Sequence, residues 1–274
     1  MSRLSRLARE ENAYGFRKRF TFISSLIEQH RPDHVLDVGC GTGEFLTIPL
    51  AERFPEVRFV GIDSDAVSII HAREQNHLPN LSFPDTPPAG ECFDLVIASE
   101  VLEHVDAPDQ FLAELRGYLS DHGRIVITTP NGYGPFEWAS LLETMVMVAR
   151  RSLVPGERRR QAPEIEARDT LAISPHVNFF TRGDLRRLFE GAGLRVVEAR
   201  SRTFLCGRGF DTLVRRVRLI EWNARIADRL PAWMNSDWMF VLGQGGTAHP
   251  QPYRRRLDAR LRRALNAKRW GTDG

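Results

Sequence analysis

Three glycines at alternate positions, Gly39, Gly41 and Gly43, follow the run Val35-Leu36-Asp37-Val38, and acids flank them at Asp37 and Glu44. Val35, Leu36 and Val38 suit a buried strand, and the glycines let the chain behind it turn tightly and approach a ligand closely. The spacing is G-x-G-x-G, with Cys40 and Thr42 between the glycines. A dinucleotide fingerprint needs G-x-G-x-x-G, and Glu44 stands where its third glycine would be. Two acids would also repel a pyrophosphate, which seeks bare helix N–H groups, whereas they would welcome a cation. Further on, Asp63 ends a second apolar run, Val57 to Ile62. One carboxylate there has two acceptor oxygens, enough for two neighbouring hydroxyls. Ser64 and Asp65 can cap the helix that follows.

A second group of chemistry-bearing residues lies in Ser99-Glu100-Val101-Leu102-Glu103-His104-Val105. If residues 100 to 104 take a helical turn, Glu100, Glu103 and His104 fall at i, i+3 and i+4 on one face. Two carboxylates and an imidazole could then hold a divalent cation, with His176 or a further acid completing the shell. The same triplet could instead contact a small-molecule cofactor and cap the next helix.

The elements that must position these residues alternate between strand and helix. Val35 to Val38, Val57 to Ile62, Leu81 to Phe83, Phe93 to Ala98 and Arg124 to Thr128 read as strands. Between them, Phe45 to Phe54 (with Pro49 the reservation), Asp65 to Glu74 and Pro108 to Leu119 read as helices. Arg182 to Glu190 reads as a further helix stopped by Gly191 and Gly193, with strands Leu194 to Glu198 and Asp237 to Leu242 beyond. Such alternation predicts an α/β fold built on a doubly wound, mostly parallel sheet.

The loop Val-Leu-Asp-Val-Gly-Cys-Gly-Thr-Gly, the strand Phe93-Asp94-Leu95-Val96-Ile97 followed by Glu100-Val101-Leu102-Glu103-His104-Val105, and Thr129-Pro130-Asn131 together resemble class I S-adenosylmethionine-dependent methyltransferases of the small-molecule type. They are similar to the ubiquinone-biosynthesis O-methyltransferases in particular. The resemblance covers residues 31 to 130 and, more loosely, 176 to 243. It implies a seven-stranded Rossmann-like sheet whose last strand is inserted antiparallel beside the fifth. It also implies S-adenosyl-L-methionine as cofactor, whose sulfonium and ammonium suit the acidic loop. On this reading Asp37, Gly39, Cys40, Gly41, Gly43, Asp63, Ser64, Ser99 and Glu100 bind cofactor. Asp85 stands where the family often has an acid near the adenine amine, and Arg19 aligns with an arginine near the cofactor carboxylate. The carboxyl end of the fourth strand faces the transferred methyl in this fold, so His104 leads as general base, with His176 second. A structural hydrogen-bonding role is the competing reading for either histidine.

Composition sets the frame. With 274 residues, 42% of them hydrophobic, the chain can bury a large core and is too long for the bare sheet fold. The expected organisation is a cap helix in residues 1–30, a core of 31–130 and 176–245, an inserted lid or acceptor-binding segment in 131–175, and a basic tail in 246–274. The lid includes Phe136, Trp138, Leu141, Leu142, Met145, Val146 and Val148; Glu137, Glu143, Arg150 and Arg151 keep this stretch short of the roughly 20 apolar residues of a membrane span. A second helical addition is expected from Gly209 to Arg229. Three scattered cysteines, Cys40, Cys92 and Cys206, show no metal-ligand spacing and argue for a reducing compartment. Arg3, Arg6, Arg9, Glu10 and Glu11 interrupt the N-terminus, which does not read as a secretory signal, so a cytoplasmic protein is expected.

The 38 basic residues include only Lys18 and Lys268 as lysines, leaving 36 arginines, a skew of the kind a GC-rich bacterial coding bias gives. Basic runs at Arg158 to Arg160, at Arg215, Arg216 and Arg218, and from Arg254 to Arg269 lack the aromatic stacking positions of a nucleic-acid enzyme. No nucleic-acid partner is expected. The tail, with Leu257, Leu261 and Leu265 among arginines, reads either as an amphipathic helix touching anionic membrane peripherally or as a solvated, self-packed terminal helix.

The expected function is methyl transfer to a small-molecule acceptor, most directly a hydroxyl oxygen, by in-line displacement. Nitrogen or carbon acceptors are the alternative, as is a non-catalytic module that binds the cofactor or a lipid surface. The Asn-Pro-Pro-Tyr type segment of amino-methylating nucleic-acid and protein enzymes is absent after strand four. The apolar lid with Trp138, Trp222, Trp233 and Trp238 suits an aromatic, glycan or lipid-linked acceptor.

Overall fold

The computed structural model describes residues 11–12, 14–134, 137–138, 141–142, 144–146, 176–206, 219–249 and 251–270. Seven strands, β1 (His34–Val38), β2 (Arg58–Ile62), β3 (Leu81–Ser82), β4 (Phe93–Ser99), β5 (Leu119–Pro130), β6 (Leu194–Ser201) and β7 (Asp237–Gln244), form one sheet in the order β3-β2-β1-β4-β5-β7-β6. The first five are parallel, and β7 runs antiparallel between β5 and β6, as the resemblance implies. The helices are α1 (Phe16–His30), α2 (Thr47–Arg53), α3 (Ala66–Gln75), α4 (Pro108–Gly117), α5 (Arg182–Gly191), α6 (Ile220–Ile226) and α7 (Leu257–Trp270).

The apolar runs are continuous because both faces of the sheet are covered. Successive side chains on a strand point to opposite faces, so Val35, Phe59 and Ile97 pack with Phe20, Ile23 and Ile27 of α1, while Leu36, Val60 and Val96 pack with Leu112 and Leu115 of α4. The second layer continues into Leu185 and Phe189 of α5 and Phe240 of β7. The sheet therefore holds every parallel strand end at one rim, which is where an α/β sheet binds ligands.

Several boundaries differ from expectation for local reasons. Pro49 falls in the first turn of α2, where its missing N–H is an orphan donor anyway, so it does not break the helix. The fifth strand starts at Leu119 rather than Arg124, because the pairing shifts between Phe93, opposite Leu119, and Leu95, opposite Arg124. Asp65 caps α3 by accepting from the backbone of Val67 and Ser68. Thr181 and Asp184 form a reciprocal capping box on α5. Of the expected lid, Asn131 to Gly134 are described as a turn, and Glu137, Trp138, Leu141, Leu142 and Thr144 to Val146 as helical; Phe136, Val148 and the run Arg158 to Arg160 lie outside the described residues. Within the addition expected from Gly209 to Arg229, α6 covers Ile220–Ile226, and Arg215, Arg216 and Arg218 lie outside the described residues.

Candidate functional site

The glycine loop leaves the tip of β1 and is tied to β2 by its backbone. Gly39 and Cys40 N–H both donate to the Ile62 carbonyl, at 2.8 and 3.0 Å. Gly39, Gly41 and Gly43 have φ of 77°, 56° and 72°, in the left-handed region that favours glycine. A Cβ on Gly39 would collide with Val101, so the loop lies directly against the segment after β4. Asp63, at the end of β2, accepts from Gly41 N–H and from Asp65 N–H, both at 2.8 Å. Each carboxylate oxygen keeps a further lone pair for a ligand hydroxyl.

Asp37 is buried and accepts from the Thr47 hydroxyl at 2.6 Å. Burial pushes its carboxyl up to about 6, with Thr47 and the Arg19 charge offsetting part of that. The Cys40 thiol, 3.5 Å from the Gly41 carbonyl, is pushed up by burial and by the charges of Asp37 and Asp63, so it is a packing group rather than a nucleophile. Ser64 is exposed at the turn. Asp85 faces solvent at 85% side-chain exposure and pairs with Arg73 at 2.7 Å.

Arg19 and Ser99 meet across 80 residues of sequence, Arg19 Nη1 donating to Ser99 Oγ at 3.0 Å. Ser99 also lies 2.9 Å from the Thr128 hydroxyl, which donates to Glu100 at 2.6 Å. The other Glu100 oxygen accepts from Arg202 Nη2 at 2.9 Å, and the same nitrogen is 2.8 Å from Asp237. Thus two buried guanidiniums, the buried Asp237 and the partly exposed Glu100 meet at the ends of β4, β6 and β7. Burial would raise Glu100, but Arg202, Arg19 and the Thr128 hydroxyl outweigh it and hold the carboxyl well below its usual range. Arg19 is pulled down to about 10, first by burial and then by the Arg202 charge. Its Nε is buried with no hydrogen-bond partner among the described residues, a donor that a ligand carboxylate could satisfy.

The segment after β4 corrects the helical-turn expectation. Glu100 has φ of 60°, in the left-handed region, so residues 100 to 104 do not form a helical turn and Glu100 joins Arg202 instead of sharing a face with Glu103 and His104. Of the expected ligands, Glu100 thus stands apart, while Glu103 and His104 meet His176, the residue expected to complete the shell. Ligand atoms of Glu103, His104 and His176 lie within 4.8 Å of one another, a grouping that could hold a cation. The Asn178 side chain creates it by donating to the carbonyls of Leu102 and Val105, at 3.2 and 2.6 Å, while the N–H groups of Val177 and Asn178 bond the Glu103 carbonyl. This latch sets the rings of His104 and His176 edge to face with centroids 5.1 Å apart.

Charges around the two histidines come from three places. Glu103 accepts from Thr129 at 3.1 Å, and burial together with the Glu100 charge raises its carboxyl well above the usual range. His176 Nδ1 is 2.7 Å from Glu137, in the inserted segment. Burial would lower this imidazole, but the Glu137 charge and hydrogen bond, with Glu103 and Glu100 behind them, push it up to about 9. Glu137 is held in turn by Arg262 of α7, 3.4 Å away, whose guanidinium also bonds the Gly132 carbonyl and lies 4.2 Å from the Phe179 ring centre. Sequence reasoning did not single out Glu137, Arg202, Asp237 or Arg262 as site residues. Each acts across 34 or more positions, so no local pattern marks it.

The family described as Methyltransferase domain matches residues 8–199 of the chain. Among curated proteins, the trans-aconitate 2-methyltransferase of Deinococcus radiodurans is 34% identical over 110 residues, covering 39% of this chain and 42% of that protein. The ubiquinone biosynthesis O-methyltransferase of Cereibacter sphaeroides is 38% identical over 104 residues, covering 35% and 41%. The chain thus matches less than half the length of either relative. In fold it is similar to a putative sarcosine dimethylglycine methyltransferase from Galdieria sulphuraria, with a TM-score of 0.53 at 13% identity over 84% of this chain and 86% of that one. It is likewise similar to the plantazolicin methyltransferase bound to a triazolic desmethyl analogue and S-adenosylhomocysteine, with a TM-score of 0.51 at 18% identity over 86% and 87%. Strand order, left-handed glycine loop, acid at the tip of β2 and family match agree: the chain belongs to the class I S-adenosylmethionine-dependent methyltransferases.

Proposed function

We propose that the protein transfers a methyl group from S-adenosylmethionine to a hydroxyl oxygen of a small molecule by in-line displacement. The observation that carries this reading is the pair His104 and His176, set 5.1 Å apart on the segments joined after β4, where Val101 meets the glycine loop, with Glu137 behind His176. The cofactor supplies a methyl group on a good leaving group, so the chain has to bind it, orient the acceptor and manage one proton. Asp63 receives the ribose hydroxyls, Arg19 the carboxylate through its unpartnered Nε, and the acids Asp37 and Glu44 favour the positive charges. At neutral pH His176 keeps its proton through Glu137, so it donates to the acceptor oxygen and eases its ionisation. His104, beside it, accepts the hydroxyl proton. The relatives, named for trans-aconitate and ubiquinone biosynthesis, support a small acceptor, and the second supports oxygen.

A second reading rests on the grouping of Glu103, His104 and His176 within 4.8 Å: these three would hold a divalent cation that lowers the acceptor hydroxyl's pKa. Exhaustive chelation separates the two, since only the second loses methyl transfer and regains it on adding cation. The first is tested with purified protein and a panel of phenols, sugars and lipids, comparing wild type with His104→Ala and His176→Ala. Both variants should lose about 100-fold or more in turnover. Wild-type rates in both would end the assignment of the histidines and leave the cofactor site standing.

A further inference from the structure

The helix α7 is docked on the body the wrong way round for an ordinary surface helix. Ala259 and Arg262 are buried, and Arg262 reaches inward to Glu137 and the Gly132 carbonyl. Asp258 takes the Tyr133 hydroxyl, and Arg255, just before the helix, bonds Asn178 and Asp106. At 100° per residue this leaves Leu257 and Leu261 pointing away from the protein, 78% and 67% exposed. Arg254, Arg256 and Arg260 are exposed around the two leucines. The helix adjoins Trp138, whose ring centre is 5.9 Å from the Arg262 guanidinium. Trp138 is 59% exposed, and Leu142, Met145 and Val146 on the same inserted stretch are exposed by about half or more.

We propose that α7, with the exposed side chains of Trp138, Leu142, Met145 and Val146, is a docking surface for an anionic lipid bilayer. Outward leucines inserted at the headgroup boundary and surrounded by arginines have the complementarity such a surface needs, with cations meeting lipid phosphates as apolar side chains leave water. Held by the buried Arg262 on its opposite side, the helix is presented rigidly and loses little order on docking. A single exposed leucine needs no explanation; here two at i and i+4 share one face while an arginine takes the inside. The proposal goes beyond methyl transfer and is read without it.

The test is co-sedimentation of the full chain with vesicles of equal parts phosphatidylglycerol and phosphatidylcholine, and with vesicles of phosphatidylcholine alone. Wild type should partition onto the anionic vesicles and weakly onto the neutral ones, and added salt should reduce the difference. Leu257→Glu with Leu261→Glu should cut partition at least about tenfold. Both positions are exposed, so the thermal midpoint and binding of S-adenosylhomocysteine should stay unchanged, and Leu257→Ser with Leu261→Ser provides a second variant. No partition by wild type, equal partition onto neutral vesicles, or partition unaffected by either variant would overturn the proposal. So would lipid-free self-association, seen by light scattering, that the same variants abolish, because the face would then belong to a second copy of the chain.

Discussion

Replacing Arg202 by methionine should destabilise the protein severely, and more so at alkaline than at acid pH. One nitrogen of Arg202 serves two carboxylates, the partly exposed Glu100 at 2.9 Å and the buried Asp237 at 2.8 Å. Methionine fills much of the volume but leaves both acids without their cation. Removing one partner from a buried ion pair costs about 3–5 kcal/mol, since the remaining charge stays desolvated. For a chain of this size that corresponds to a fall in thermal midpoint on the order of 10 °C. The pH dependence follows from Glu100, which Arg202 holds below its ordinary range in the native protein. A group of depressed pKa adds stability above its unfolded value and loses it as pH falls through the folded one. Without Arg202, burial carries the same carboxyl above its ordinary value, so it takes up a proton in the folded state and escapes the penalty. Lowering the pH from 8 to 5 should therefore return part of the lost stability. Urea unfolding at the two pH values measures this, and Arg202→Met with Asp237→Asn should recover part of the loss at pH 8. A variant as stable as wild type, or one whose deficit is the same at both pH values, would refute the account of the network.

Further outcomes are expected nearer the chemistry. Asp63→Ala should weaken binding of S-adenosylhomocysteine by about tenfold or more in calorimetry, since the loop N–H of Gly41 and the ligand sugar lose one acceptor together; unchanged affinity would remove Asp63 from the cofactor site. Gly39→Ala combines a left-handed backbone with a collision against Val101, a loss of about 2–4 kcal/mol. Adding Val101→Ala should relieve the collision and leave the backbone term, so a double variant no better than the single one would contradict the packing described. His176 is raised from 6.5 to about 9, so its share of stability is full below 6.5 and is lost as the pH climbs through about 9. Glu137→Gln removes the main source of that rise, and both the loss of stability and the alkaline fall in methyl transfer should move to lower pH; profiles that coincide with wild type would exclude the His176–Glu137 pair.

The sheet was legible because its signals are local. Val35 to Val38 and Phe93 to Ala98 are short apolar runs with punctuation at their ends, and the G-x-G-x-G spacing is written within five residues. The conformation of Glu100 was not legible. Nothing beside it announces a left-handed glutamate, and the reason, a buried arginine at position 202, is 102 positions away. The pairing of His104 with His176 shows the same limit, for it depends on Asn178 reaching the carbonyls of Leu102 and Val105. Arg262 read as one more charge in a basic tail. Only burial against Phe179 and Glu137 distinguishes it from Arg260, which stays in water.

The position of β7 has a consequence for how the chain matures. β5 finds its partner more than a hundred residues later, Arg124 opposite Gly243 and Pro130 opposite Asp237, and β6 has no other neighbour than β7 in the sheet. Until that last strand emerges from the ribosome, β5 is a long open edge whose Ile125, Val126 and Ile127 become fully buried only in the finished protein. Nascent chains stalled before residue 237 should therefore demand chaperone cover and tend to aggregate, and closure should be slow, because a distant segment must pair with β5 and bring β6 into the sheet with it.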